Sequence, residues 1–340
     1  MKKMMNFKNL SVALLLVALG MMVGFSTSWA QKKPIELKIS HQAFPPNTFM
    51  VASSAHWAKL IKERTNGEVE LKFFYDTLGK GPGIMSAAQE GIADGFVCIN
   101  SLITTRVKAL NVSEIATFTA ADKYLQNVKA IRPVMNKIYD EQGIQYVGSI
   151  FSYSDLAYTH QNRFLNNLDA FKGQKIRQIG MWATKVLIGY GGVPVNVMPP
   201  ELYAAAQRGI VDGVCTINML VDAFKLYEVQ KYNTIFPGKM TPYASVGLNK
   251  AVFNKLDKKT QDIIIQAGIE AEAYSWDYGR KEEAALQQKL SKLMKYHILT
   301  PEEMKPFEAI IDKLAPEVIE YSGPLGKELA EALLKVKKSK

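Results

Sequence analysis

Apolar and polar residues alternate across Glu36-Leu37-Lys38-Ile39-Ser40, the period of a strand with one buried face. A loop over 41–47 containing Pro45-Pro46 follows, and residues 49–63 then carry apolar side chains at helical spacing. Thr65-Asn66-Gly67 stops that helix, with Gly67 as its left-handed cap. Residues 69–74 predict a second strand, Pro82 enters another helix, and 96–100 a third strand. The pattern restarts after Asp140, with an extended stretch over 146–153, a short helix over 168–171 and a strand over 175–178. A helix over 182–190 and strands over 193–197 and 243–248 come next. The chain closes with helical patterns over 258–295, 301–314 and 327–336. Strands alternating with helices predict an α/β fold whose largely parallel sheet is covered on both faces.

One unit of this pattern occurs twice. Residues 87–100, AAQEGIADGFVCIN, return as 205–218, AAQRGIVDGVCTIN, with nine of fourteen positions identical at an offset of 118. Pro82 and Pro200 match at the same offset, so the helix-entry proline repeats as well. Each copy reads as a helix closed by glycine, a tight turn and a buried strand ending in asparagine. Two similar α/β lobes facing each other across a cleft account for this; two unrelated units of similar composition are the alternative.

Composition adds three points. At 340 residues, 48% apolar and 22% charged, the chain has room for two cores and the make-up of a folded protein. Lys2, Lys3 and Lys8, the apolar run 10–25 and Ser28-Trp29-Ala30 have the layout of a secretory signal peptide over 1–30, with the mature chain starting at Gln31. That predicts export to the periplasm and leaves a formal charge of +7 when three lysines are taken from +10. The lysines form no basic and aromatic stripe, so no nucleic-acid partner is expected, and a field drawing in small anions fits the charge as well as solvated surface does. Cys98 and Cys215 both fall in the repeated apolar strands, where free cysteine behaves as a small hydrophobe, and a disulfide between them is not expected.

Catalytic patterns are missing. His41, His56, His160 and His297 are scattered without ligand spacing, so neither a metal nor a cofactor is expected. There is no nucleophile elbow or phosphate loop, and Gly79-Lys80-Gly81-Pro82-Gly83 reads as helix-entry punctuation. Binding is therefore expected rather than catalysis. Arg177 stands late in an apolar strand, where its planar fork matches a carboxylate or sulfonate; a surface or interlobe salt bridge is the other reading. In open α/β sheets ligands sit beyond the carboxyl ends of strands. Those ends are His41, Asn100 with Ser101, Phe151 with Tyr153, and Thr216 with Asn218. Trp182 supplies an aromatic wall, and Tyr243, opening a strand, completes the candidate ligand-binding set.

The stretches "GQKIR" (173–177), "GIVDG" (209–213) and "KLYEVQKY" (225–232) closely resemble the solute-binding proteins of tripartite ATP-independent periplasmic (TRAP) transporters, of the dicarboxylate-binding DctP type. "LKISH" (37–41), "ERTNGEVELKFF" (63–74), "LGKG" (78–81) and "GIADG" (91–95) agree. The resemblance implies a two-lobed periplasmic-binding-protein fold, type II-like, with a central cleft and a long helix bridging both lobes. It divides the chain into lobe I, 31–154 plus 243–282, and lobe II, 155–242 plus 283–340. It further implies a receptor that captures a small organic acid anion and delivers it to a TRAP membrane permease, with Arg177 pairing the carboxylate. Thr216 falls where many relatives have a ligand-binding asparagine, and Trp182 where they often have proline or a small residue. Many relatives carry a second arginine where this chain has Leu156, and no lysine or arginine occurs from 143 to 162. That departure favours a monocarboxylate. A sulfonate, an aromatic acid or a C4-dicarboxylate are the alternatives, as is a secreted enzyme or sensor on the same scaffold.

Overall fold

The computed structural model describes residues 33–46, 48–151, 155–239 and 243–339. The expected signal peptide and Tyr153 lie outside the described residues. In chain order the first elements are β1 (Ile35–His41), α1 (Phe49–Arg64), β2 (Val69–Tyr75), α2 (Gly83–Gln89), β3 (Gly95–Ile99), α3 (Tyr124–Asp140) and β4 (Ile144–Phe151). Then come β5 (Leu156–His160), α4 (Leu168–Phe171), β6 (Lys175–Arg177), α5 (Met181–Gly189), β7 (Val193–Val195), α6 (Leu202–Gln207), β8 (Gly213–Thr216), α7 (Asn218–Ala223) and β9 (Tyr232–Phe236). The chain ends with β10 (Tyr243–Asn249), α8 (Lys250–Phe253), α9 (Lys258–Leu293), β11 (Lys295–Ile298) and α10 (Pro301–Lys338). Short 3₁₀ turns at Asn100–Leu102 and Lys108–Glu114 lie between β3 and α3.

The strands form two sheets, ordered β2-β1-β3-β10-β4 and β11-β9-β5-β8-β6-β7. Both are mixed rather than largely parallel. β10 runs antiparallel to β3 and β4, and β5 antiparallel to β8 and β9. The cause is an exchange of strands: the chain leaves the first sheet at Phe151 for Leu156 in the second, and returns from Phe236 to give Tyr243–Asn249 back to the first. The molecule is a two-lobed α/β protein.

The sequence repeat is a structural one. β3 runs parallel to β1 with Ser40 opposite Phe96, and β8 runs parallel to β6 with Arg177 opposite Val214, positions again 118 apart on the repeated strand. The turn before each strand is locked by its aspartate. Asp94 N–H donates to Lys38 O while Asp94 Oδ2 accepts from Lys38 N–H, at 2.7 and 2.8 Å. Asp212 and Lys175 repeat both bonds at the same lengths. Gly91 and Gly209 close the preceding helices at φ 75° and 67°, the left-handed region that glycine enters without steric cost.

α9, 36 residues and so about 54 Å long, spans the two halves. Its Ile264, Ala267 and Ala271 join Trp57 and Ile61 of α1 in one core cluster, and Leu290 joins Ala157, Val214 and Ile235 of the second sheet in another. The same helix covers the free edge of β4. Glu272 accepts from Ser149 N–H and Ser275 from Phe151 N–H; beyond the strand, Glu283 accepts from Asp155 N–H. An edge strand offers unpaired backbone groups, so these polar side chains are buried for a reason. Arg132 of α3 pairs with Glu272 at 2.6 Å and also donates to Val147 O. The two stretches expected at 301–314 and 327–336 form one helical run that kinks at Gly323, where φ is 70°. Cys98 and Cys215 are buried and unpaired.

Candidate functional site

A cavity of about 460 Å³ lies where the strands of both sheets end. From the first sheet it is lined by Gln42 to Pro45 after β1, Asp76 after β2, Asn100 to Leu102 after β3, and Tyr243 at the start of β10. From the second it is lined by Arg177 to Gly180 after β6, Met198 to Pro200 beyond β7, Cys215 to Ile217 at the end of β8, and Leu156 at the start of β5. The structural repeat thus aims equivalent strand ends at one space. Apolar groups such as Phe44, Ile99, Leu156, Ile179, Leu220 and Phe224 make up much of the wall.

Arg177 is the charge that the second sheet brings to that wall, and it is 3% exposed; Asp76, Lys80 and Glu114 line the cavity from the first. Its Nε donates to Val197 O and its Nη1 to Cys215 O, both at 2.9 Å, which fixes the plane of the guanidinium. Nη2 is buried and has no hydrogen-bond partner. No carboxylate of a described residue forms an ion pair with it, so the interlobe salt bridge allowed by the sequence does not form. Burial lowers its pKa to about 10, still cationic at neutral pH. A desolvated cation with an open donor is costly unless something negative meets it. The Thr216 hydroxyl is likewise buried and unpaired. Asn100 lines the cavity while its Oδ1 accepts from Ser245, and Ser101 and Tyr243 line it too.

Four sequence candidates stand elsewhere. His41 is fully buried beneath the first sheet, its Nδ1 donating to Gln42 O at 2.6 Å and its Nε2 accepting from the Ser54 hydroxyl at 2.8 Å. Burial lowers its pKa to about 4, so it is a neutral core histidine. Phe151 packs edge-on against Tyr124 and Trp276 in the core. Asn218 turns toward the outer strands, donating to the Tyr296 hydroxyl and accepting from Asn233. The Trp182 ring is 1% exposed and forms no part of the cavity wall. Its indole N–H donates to Asn111 Oδ1 at 3.0 Å and its backbone N–H to Glu114 Oε2 at 2.9 Å.

Glu114, which lines the cavity, was not anticipated from the sequence. It is the one acid in the otherwise uncharged run ALNVSEIATF (109–118), and that isolation was the available signal. Among the described residues no group of three or more histidine, cysteine or acidic side chains could hold a metal ion. No described helix is long and apolar enough to cross a membrane.

A family model, bacterial extracellular solute-binding protein, family 7 (DctP), matches residues 39–321. The chain belongs to this family. Among its relatives is the C4-dicarboxylate-binding periplasmic protein DctP of Rhodobacter capsulatus, 27% identical over 86% of this chain and 89% of that one. The 2,3-diketo-L-gulonate-binding periplasmic protein YiaO of Escherichia coli is 23% identical over 97% of this chain and 99% of that one. In fold this solute-binding protein is similar to DctP7, a Bordetella pertussis extracytoplasmic solute receptor binding pyroglutamic acid. That pair has a TM-score of 0.80 at 22% identity, covering 88% of this chain and 99% of the other. The ectoine-binding protein of the Halomonas elongata TeaABC TRAP transporter gives the same score at 17% identity, over 89% and 99%. The TRAP resemblance read from the motifs therefore holds, and the family is one of binding receptors.

Proposed function

We propose that this solute-binding protein captures a small monocarboxylate in the cavity between its lobes and delivers it to a TRAP membrane permease from the periplasm, after removal of residues 1–30. Lobe I comprises 31–154 with 243–282, and lobe II 155–242 with 283–340. One observation carries the reading. The buried Arg177 guanidinium lines a largely apolar cavity, holds two backbone carbonyls and keeps Nη2 open with no carboxylate beside it. A ligand carboxylate supplies the missing charge, and Thr216 and Asn100 offer polar contacts to the rest of the molecule. Leu156 puts a hydrocarbon where many relatives carry a second arginine, and the other cation lining the cavity, Lys80, is exposed rather than buried like Arg177, which supports one anionic head with an uncharged body.

The test is a thermal-shift screen of residues 31–340 against matched mono- and dicarboxylates, sulfonates and aromatic acids, followed by calorimetry. A ligand that binds only the folded state raises stability by RT ln(1 + [L]/Kd). Charge-assisted hydrogen bonds contribute roughly 1.5–3 kcal/mol, so Arg177→Ala weakens binding of the best hit at least about tenfold. Unchanged affinity in a folded Arg177→Ala protein, or dicarboxylates as the strongest hits, overturns the reading.

A further inference from the structure

We propose that Glu114 is a positioning residue for ligand capture: from the first lobe's chain it caps the helix that follows Arg177 in the second lobe, and so holds the cavity closed. This rests on the reading of the cavity as the ligand site. α5 begins at Met181 with no side-chain cap of its own, because its N-cap is Gly180, at φ 90° and ψ 140°. The first turn of a helix leaves N–H groups without partners and favours a negative charge. Glu114 Oε2 supplies both, accepting from Trp182 N–H at 2.9 Å, while Oε1 accepts from the Thr104 hydroxyl at 2.6 Å. Glycine at 180 makes room for it, since a Cβ there would sit 3.1 Å from that same Oε2.

A second tie runs beside the first. The Trp182 indole N–H reaches Asn111 Oδ1, and Asn111 is itself held by its amide donating to Thr104 O and Lys108 O, at 2.9 and 2.8 Å. Thr104, Asn111 and Glu114 belong to the connection between β3 and α3, whereas Gly180 and Trp182 follow β6. The two bonds therefore join chain serving the first sheet to chain serving the second. Arg177 lies three residues before Gly180, so the turn that carries the guanidinium is anchored at its far end. Apparent affinity is the intrinsic affinity scaled by the fraction of molecules in the competent state, so a weakened tie lowers affinity even with the Arg177 contacts intact.

The experiment places spin labels on Thr77→Cys and Glu201→Cys, exposed positions next to the cavity-lining Asp76 and Pro200, and measures the distance distribution without ligand. Cys98 and Cys215 are buried and take no label. Glu114→Ala is expected to raise the open-to-closed ratio about tenfold, the scale of a lost cap together with its charge. Glu114→Gln, which keeps an oxygen for the Trp182 N–H, is expected to fall between wild type and alanine. A distribution unchanged in Glu114→Ala overturns the proposal; if that protein does not fold, an unchanged distribution in Glu114→Gln does so. Opening in Glu114→Ala alongside unaltered binding in Arg177→Ala would sink the ligand assignment and leave the latch standing.

Discussion

Acidification should destabilise this protein through His41, a residue remote from the cavity. Its ring is fully buried, and its two nitrogens are committed to Gln42 O and Ser54 Oγ in a neutral tautomer. Protonation would leave a cation with no acid beside it, and burial accordingly lowers the pKa from 6.5 to about 4. The depressed folded value sets the sign. The unfolded chain takes up a proton as pH falls through about 6.5, the folded protein only near 4, so stability is full above 6.5 and lost between those values. A gap of about 2.5 units at 1.36 kcal/mol per unit gives a loss of about 3 kcal/mol. Burial raises the pKa of Glu114 and Glu272, and a raised carboxylate has the opposite sign, adding stability as pH falls. The assay must therefore be a difference. Urea unfolding of wild type and His41→Gln, every half pH unit from 4 to 7.5, isolates the histidine because the other groups are common to both. Wild type should lose about 3 kcal/mol more than His41→Gln across that window. Parallel curves would refute the argument that His41 is held neutral by burial.

Two further outcomes follow from contacts already described. Leu156→Arg sets a cation on the cavity wall, and thermal shift should then report a gain for succinate over a matched monocarboxylate, absent in wild type. Arg132→Met strands the buried Glu272 carboxylate, which then has to be accommodated uncompensated; a cost of about 3–5 kcal/mol is expected in urea unfolding at pH 7, with a smaller cost at pH 5 as the carboxyl protonates.

What the sequence made legible was what depends on local pattern. The glycine-closed helices, the aspartate turns and the long helix needed only spacing, and the repeat pointed to two like units before any contact was known. The strand-end rule pointed to Asn100, Ser101 and Thr216, which line the cavity, because those positions depend on where a strand stops, while Arg177 stood out as a charge late in an apolar strand. It failed where direction mattered. His41 ends β1 as expected, yet its ring turns to Ser54 of α1 and the aromatic pair Phe73 and Tyr75. Asn218 ends its repeat too, but β9 and β11 bring Asn233 and Tyr296 to satisfy its amide. Phe151 and Glu114 were opaque for a different reason: their partners, Trp276 and Trp182, lie far along the chain, and no local window contains both halves of such a pair.

The repeat also shows where the chemistry arises. Because Ser40 opposes Phe96 while Arg177 opposes Val214, Ser40 and Arg177 hold the same place in the two lobes, each on the strand parallel to the repeated one. A short hydroxyl in the first lobe stays wholly buried. A long guanidinium at the equivalent point reaches the Val197 and Cys215 carbonyls and the cavity wall. Two copies of one scaffold would give a cavity with matching walls, and matching charges facing each other would repel across a low-dielectric space. Divergence at this single position puts a cation on the second lobe's wall, whereas Ser40 does not reach the cavity and the first lobe's charges there come from Asp76, Lys80 and Glu114. On the proposed reading, that difference turns a ligand's anionic head toward Arg177 and the second lobe.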